Sequence, residues 1–229
     1  MNQISNKLVE QLIYSSDHPA HLKDMSGKYL ISNTANNNLF VGNDGVSSVI
    51  GLTIWDLNAY MEPLWGSMAR DIEKIESNLK ATQQVYSKNQ YPFLNVHGFI
   101  VVQSVKKYPI LNANNVVKSI LSIGEIITQQ MDLFKLFKLY LQFCSNKPSG
   151  IQKLLEHLSI FNDFYELPTA REISILIAKK YYYHPKLIAS NLAIETKTVE
   201  SHLYKIKLKL KRDLNSVVLA MRLSSKEQI

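Results

Sequence analysis

The chain has 229 residues, of which 46% are hydrophobic and 20% charged. This composition is typical of a folded globular protein and excludes collagen-like, low-complexity and wholly disordered chains. The single cysteine, Cys144, cannot form an internal disulfide bond, and the sequence lacks an apolar run suited to a signal peptide or a membrane span. We expect a cytoplasmic protein of one large or two modest domains, without a membrane partner.

The first half of the chain mixes helical and β-type patterns. His18 and His21 flank a Pro-Ala pair and are predicted to lie in a loop. Residues 64–86 predict a helix, and residues 93–105 and 116–127 predict strands that are joined through a turn at 109–115. Strands separated by helices, followed by an antiparallel pair, predict an α+β domain with a single antiparallel sheet.

Two blocks in this half resemble PAS sensor domains. Residues 23–33, KDMSGKYLISN, are similar to the opening K-D-x-x-G-x-Y-L-x-x-N strands of PAS domains. Residues 49–57 are similar to the I-G-x-T-x-x-D-L block that follows them. The resemblance implies a signal-sensing domain with a cavity for a small-molecule ligand. Four aromatic side chains are candidates to line it, although each also suits an ordinary core: Tyr29, Phe40, Trp55 and Phe99.

Two other sensor classes fit parts of the same segment. A phospho-receiver domain is indicated by the positions of Asp56 and Lys106, but Asp17 is the only acidic residue at the place where such a domain clusters carboxylates around Mg²⁺. The second class is an acyl-homoserine-lactone sensor of the quorum-sensing type. It is suggested by a group of aromatic and acidic residues: Trp55, Asp56, Tyr60 and Trp65.

The middle of the chain predicts two amphipathic helices. Residues 127–143 form a broad apolar pattern, turn-forming residues at 146–150 break it, and residues 151–161 resume it. The first of these helices suits either a packed element or a dimer contact. We therefore divide the chain into a PAS-like domain at 1–127, connecting helices and linker at 128–162, and a C-terminal domain at 163–229.

The net charge of +7 lies entirely in the C-terminal part. Residues 1–166 contain 14 basic and 14 acidic residues, whereas residues 167–229 contain 12 basic and 5 acidic residues. Such asymmetry indicates an anionic partner for the C-terminal domain.

Local signals divide this C-terminal domain into short helices. Thr169 followed by Glu172 is a capping box that opens the first helix, and His184-Pro185 opens a second, short one. A break at 192–194 precedes a third helix over about 196–211, and a last helix is predicted over 213–223. The third helix has an apolar stripe opposite a basic face. A short helix, a tight turn and a longer helix with a basic face are typical of a helix-turn-helix.

The same segment resembles the DNA-binding domain of LuxR/NarL-type regulators. The family's T-x-R-E, I-A and T-V-x-x-H blocks occur in register at 169–172, 188–189 and 198–202. The resemblance implies an all-α four-helix fold, double-stranded DNA as partner and a homodimer. Tyr182 and Ala193 replace glycines that are usual in the family, and Glu200 stands where many members carry lysine.

By this resemblance the third helix reads the DNA major groove. Glu200, Ser201 and Tyr204 occupy the base-reading positions, and the lysines lie at positions that contact the phosphate backbone. Glutamate accepts a hydrogen bond from cytosine N4, so Glu200 shifts the preferred sequence rather than abolishing binding. The predicted DNA-binding residues are Lys197, Thr198, Glu200, Ser201, Tyr204, Lys205 and Lys209.

The sequence contains no recognisable catalytic motif or metal-ligand spacing. We expect no enzyme activity, catalytic residue, metal or cofactor. The expected function is that of a transcription regulator that senses a signal through the PAS-like domain. The alternative class is an interaction protein whose basic C-terminal domain docks on an acidic protein.

Overall fold

The computed structural model describes residues 3–41 and 47–221, which fold as two compact units. We call residues 3–129 the sheet unit and residues 130–221 the helical unit. The sheet unit contains α1 (Gln3–Tyr14), β1 (Ala20–Asp24), β2 (Tyr29–Ser32), α2 (Thr34–Phe40), α3 (Ile54–Trp65), α4 (Met68–Thr82), β3 (Tyr86–Leu94), β4 (Ile100–Leu111) and β5 (Val117–Ile126).

One antiparallel sheet of order β2-β1-β5-β4-β3 organises the sheet unit, as predicted. Successive side chains of a strand point to opposite faces, so each strand contributes to two cores. On one face, Leu121 and Ile123 of β5 pack with Ile13 of α1. The opposite face carries His21 and Lys23 of β1 and lines a cavity together with residues of α2, α3 and α4.

Four predictions for this unit are wrong in detail. The turn predicted at 109–115 begins only after β4, because Pro109 lies in that strand and pairs with Ile120 of β5. The predicted strand at 93–105 contains a tight turn, because the Asn95 side chain accepts hydrogen bonds from the backbone N–H groups of His97 and Phe99. The predicted helix at 64–86 is split by Gly66 and ends before β3, where Gln83 adopts a left-handed conformation. His21 lies in β1 rather than in a loop, since it pairs with Ser122 of β5.

The helical unit confirms the predicted all-α class. Its helices are α5 (Leu133–Phe143), α6 (Lys147–His157), α7 (Ala170–Tyr181), α8 (Pro185–Leu192), α9 (Thr196–Lys209) and α10 (Leu214–Ala220). The helix predicted from residue 127 begins only at Leu133, because the Asp132 side chain caps it. The predicted end of the last helix, Leu223, lies outside the described residues. In the described ranges, no helix has both the length and the apolar character needed to cross a membrane.

Helices α5 and α6 form a tight pair within this unit. Asn146 caps α6, so the turn-forming residues at 146–150 are a helix start between two packed helices. The Tyr140 hydroxyl and His157 Nδ1 are hydrogen-bonded at 2.6 Å. Gly150 is buried against α5: a Cβ atom there would lie 2.8 Å from the backbone oxygen of Tyr140.

We predict that Gly150→Ala separates α5 from α6 and lowers the free energy of unfolding by about 1–3 kcal/mol, the usual cost of overpacking. Lys147→Ala in the same helix is the control, because Lys147 is exposed. Thermal unfolding followed by circular dichroism measures both variants. Equal stability of the two variants would contradict the close approach.

Candidate nucleic-acid interface and sensor cavity

Glu172 connects the start of α7 to the end of α9. Its carboxylate accepts the backbone N–H of Thr169 at 2.7 Å, and its own N–H donates to the Thr169 hydroxyl, which completes the predicted capping box. The Lys209 ammonium lies 3.1 Å from Glu172 Oε2 and 2.9 Å from Glu166 Oε1. Burial opposes ionisation of Glu172, but these hydrogen bonds hold its pKa below the ordinary value.

The turn between α8 and α9 forms without the glycine that is usual in the family. Ala193 takes a left-handed conformation with φ of 51°, and its N–H closes α8 on Ala189 and Ser190. A non-glycine residue pays of order 1 kcal/mol for this conformation. Tyr182, the other departure, has φ of −127°, an extended conformation that does not require glycine.

Helix α9 buries one face and exposes the other. Val199 and Ile206 are fully buried on the inner face. At 100° per residue, the positions opposite them form one continuous outer surface. Tyr204, 65% exposed, lies at its centre. We call the following exposed residues the α9 outer face: Lys197, Glu200, Ser201, Tyr204 and Lys205.

Two of the predicted DNA-binding residues differ from these five in their surroundings. Thr198 is half-buried at the side of α9. Lys209 has only 15% of its side chain exposed and is held in the ion pairs with Glu166 and Glu172. The geometry therefore gives Lys209 a structural contact inside the helical unit.

The sheet unit contains a cavity of about 50 Å³ beside the inner face of its sheet. Of the four predicted ligand-pocket residues, Tyr29 and Phe40 line it. Trp55 lies on the surface, 45% exposed, and its indole N–H donates to Glu73. Phe99 is buried but does not line this cavity.

The group that suggested an acyl-homoserine-lactone sensor does not converge on this cavity. Trp55 and Tyr60 are exposed, and Asp56 serves as the capping-box residue of α3. Trp65 is buried and donates its indole N–H to the backbone oxygen of Leu94. A receiver domain is excluded in turn, because Asp56 has this capping role and the sheet is wholly antiparallel.

A buried cluster of three charged groups lies at the cavity, and two of its members, Lys23 and Lys107, line the cavity wall. The ammonium groups of Lys23 and Lys107 lie 3.0 and 2.8 Å from the same carboxylate oxygen, Oε1 of Glu76. Lys107 also donates to Ser122 at 3.2 Å. All three side chains are at least 92% buried. Burial opposes ionisation of Glu76, but the two lysines lower its pKa to about 2.

This cluster was not predicted from the sequence. One signal was available in the sequence. Alternate residues of a strand lie on the same face, so Lys107 lies on the same face of β4 as the buried apolar residues Val101 and Val105. Glu76, whose carboxylate accepts the hydrogen bond from Lys107, lies on α4, and no nearby residue in the sequence indicates this contact.

The fold and site define a chain in which a PAS-like α+β unit precedes an all-α unit with a helix-turn-helix. No protein-family model matches the chain, and no curated protein matches it. Among the described residues, no group of three or more histidine, cysteine or acidic side chains is placed to hold a metal ion.

Three solved structures are similar to this chain at low sequence identity. The Vibrio cholerae VqmA–ligand–DNA complex is 16% identical, with 96% of this chain and 86% of that chain covered and a TM-score of 0.44. A phage VqmA–DPO complex is 15% identical over 95% and 87% of the two chains, with a TM-score of 0.48. The PAS domain of Bordetella pertussis BvgS is 22% identical over 61% and 99%, with a TM-score of 0.46. At these values the likeness concerns the fold alone.

We predict that Glu76→Gln lowers the free energy of unfolding by about 3–5 kcal/mol, because it leaves two buried ammonium groups without a carboxylate. Replacing Lys23, Glu76 and Lys107 together by methionine removes the charges as well and costs far less. Urea titration followed by tryptophan fluorescence measures the sheet unit, because both tryptophans of the chain, Trp55 and Trp65, lie in it. Glu10→Gln, at an exposed position, is the control.

The Glu76→Gln effect depends on pH in a defined direction. The folded-state pKa of Glu76 is lowered from 4.5 to about 2, so its ionisation stabilises the fold fully above pH 4.5 and loses that effect as pH falls toward 2. The stability difference between wild type and variant therefore shrinks over this window. A difference that stays constant from neutral pH to about pH 3 would show that folding does not lower the pKa of Glu76.

Proposed function

We propose that the chain is a DNA-binding transcription regulator. Its helical unit reads the major groove with the α9 outer face, and its sheet unit senses a small molecule. The observation that carries the proposal is the geometry of α8 and α9: a helix-turn-helix whose second helix exposes a surface of basic and hydrogen-bonding side chains.

The dimensions and charge of this surface support DNA as the partner. An α-helix with its side chains is about 10–12 Å wide, which fits the roughly 12 Å major groove. The net positive charge of the chain lies in the C-terminal part, and phosphate contacts by lysine supply most of the sequence-independent affinity. Serine, tyrosine and glutamate side chains at the centre of the surface are able to hydrogen-bond to base edges.

We also propose the division into a sensor at 1–127, connecting helices at 128–162 and a DNA-binding domain at 163–229. The regulator acts as a homodimer in this proposal, with α10 as a contact, supported by Leu219, whose side chain is 84% exposed. A two-fold dimer binds a palindromic site.

Selection of genomic DNA fragments on the purified full-length protein tests the function. Enrichment of one palindromic sequence supports a dimeric regulator. Equal retention of duplex DNA, heparin and acidic proteins contradicts sequence recognition and favours the interaction protein.

We predict that Lys205→Ala lowers the magnitude of the slope of log K against log salt by about 0.9, the effect of losing one phosphate contact. Fluorescence anisotropy with the selected duplex measures the slope at several salt concentrations. Unfolding stability stays unchanged, because Lys205 is exposed.

We expect Lys209→Ala to lower the stability and to leave the salt slope unchanged, which is the reverse of Lys205→Ala, although both variants remove one positive charge from α9. Lys209→Ala leaves Glu172 buried without its ammonium partner, so the free energy of unfolding falls by about 1–3 kcal/mol while the salt slope stays the same. The assignment is contradicted if Lys209→Ala changes the slope and Lys205→Ala does not.

We predict that Glu200→Gln changes the preferred base at one position of the site from cytosine to adenine. Glutamate accepts from cytosine N4, whereas glutamine pairs with adenine N6 and N7, and each such contact is worth about 1–3 kcal/mol of discrimination. Repeating the selection with the variant measures the change. Glu195→Gln is the control, because Glu195 precedes α9 and lies outside the α9 outer face. An unchanged site in Glu200→Gln would rule out base reading by Glu200.

A further inference from the structure

We propose that the cavity of the sheet unit binds a small organic anion that carries a hydroxyl or N–H donor beside its anionic oxygen. An α-hydroxycarboxylate is the simplest member of this class. The inference deepens the sensing part of the proposed function by naming the chemistry of the ligand, and it rests on the cavity's own residues.

The first support is an unbalanced charge. Two ammonium groups share one carboxylate oxygen, so Lys23, Glu76 and Lys107 together carry a net charge of +1. No other charged residue is among the described residues that line the cavity. A buried charge without a counterion is costly, and the attraction for an anion is far stronger there than in water. The same burial lowers the pKa of Lys23.

The second support is the unused donor capacity of the lysines. An ammonium group has three N–H donors. Lys23 donates one hydrogen bond to Glu76, and Lys107 donates one to Glu76 and one to Ser122. Each ammonium therefore keeps at least one donor, which matches the oxygens of a carboxylate.

The third support is a buried acceptor with a fixed tautomer. The amide N–H of Asn36 donates to Ser32, so its Oδ1 faces His21 and accepts a hydrogen bond from Nδ1–H at 3.0 Å. Nε2 of His21 is consequently the unprotonated acceptor. It is buried and has no hydrogen-bond partner among the described residues. An unsatisfied buried acceptor costs about 1–3 kcal/mol, which a ligand donor would recover.

Burial and the positive charges of Lys107 and Lys23 keep the pKa of His21 well below its ordinary value. The imidazole therefore stays neutral and accepts a hydrogen bond at neutral pH. The ring of Tyr29 lies 4.5 Å from the Lys23 ammonium. Burial raises the pKa of the Tyr29 hydroxyl, which therefore stays un-ionised. Lys23 and Lys107 thus remain the groups that favour an anion, and His21 is the group that requires a donor beside it.

The size and the remaining wall limit the ligand. The volume of about 50 Å³ is several times the space that one water molecule needs, and it is far below the 300–1,000 Å³ of a drug-sized pocket. The rest of the wall is mainly apolar and includes Phe40, Ile54 and Phe93. A molecule of a few non-hydrogen atoms fits these limits.

The test compares three probes on the full-length protein by isothermal titration calorimetry at constant ionic strength. Glycolate has both the anionic oxygens and the donor, acetate lacks the donor, and glycolamide lacks the charge. We expect glycolate to bind at least about tenfold more tightly than either of the others, the equivalent of one lost hydrogen bond. Equal binding of glycolate and glycolamide, or no binding of glycolate at millimolar concentration, overturns the proposal.

Two variants assign the preference to the named groups. Lys23→Met leaves the balanced pair of Lys107 and Glu76 and removes the preference for glycolate over glycolamide. His21→Phe removes the acceptor and makes glycolate and acetate equivalent. Lys74→Ala, at an exposed position of α4, changes neither preference. A Lys23→Met protein that still prefers the anion overturns the charge argument.

The assay also separates this inference from the proposed function. Glycolate binding without sequence-specific DNA binding would contradict the proposed regulator function and support the anion site. Sequence-specific DNA binding without glycolate binding would support the regulator function and contradict the anion site.

Discussion

The carboxylate of Glu172 is the contact on which the arrangement of the helical unit depends. It satisfies the first turn of α7 through the Thr169 N–H and binds the Lys209 ammonium at the last turn of α9. With Val199 and Ile206 buried on the inner side, this contact fixes which side of α9 faces outward. The proposed base-reading side chains therefore lie on a helix held at its C-terminal end by an ion pair and along its length by apolar packing.

The sheet unit also contains a buried glutamate that binds lysine ammonium groups, but its charges do not balance. Glu76 holds two lysines on the inner face of the sheet, but here the positive charges outnumber the negative one. Apolar residues of the same volume would stabilise such a core at least as well. A buried, unbalanced cluster beside a cavity is an arrangement that suits ligand binding better than stability. Binding of an anion would neutralise the excess charge at the centre of the unit.

The sequence predicted the features that depend on neighbouring residues. The capping box at Thr169, the start of α8 at Pro185 and the two faces of α9 all follow from local spacing, and the structure has each of them. The α+β and all-α classes followed from the same patterns. The turn at Asn95 was missed because the apolar residues on both sides of it were interpreted as one strand. The Asn95 side chain closes this turn by accepting two backbone hydrogen bonds.

The features that depend on distant residues were not predictable in this way. Glu76 lies 53 residues from Lys23 and 31 from Lys107, and a single sequence has no pattern that pairs them. The ion pair between Lys209 and Glu172 was not predicted for the same reason, because the two residues lie 37 positions apart in the chain. Trp55 resembled a pocket residue by type alone, whereas its position on α3 places it at the surface.

Photo-crosslinking from α9 tests the central claim most directly. A photoreactive phenylalanine analogue in place of Tyr204, 65% exposed on the α9 outer face, is expected to crosslink to bases within the selected duplex. The same analogue in place of Tyr14, also 65% exposed but on α1, is the matched control. The account predicts crosslinks to bases from position 204 and none from position 14. Absence of a crosslink from position 204, in a protein that still binds the duplex, would contradict it.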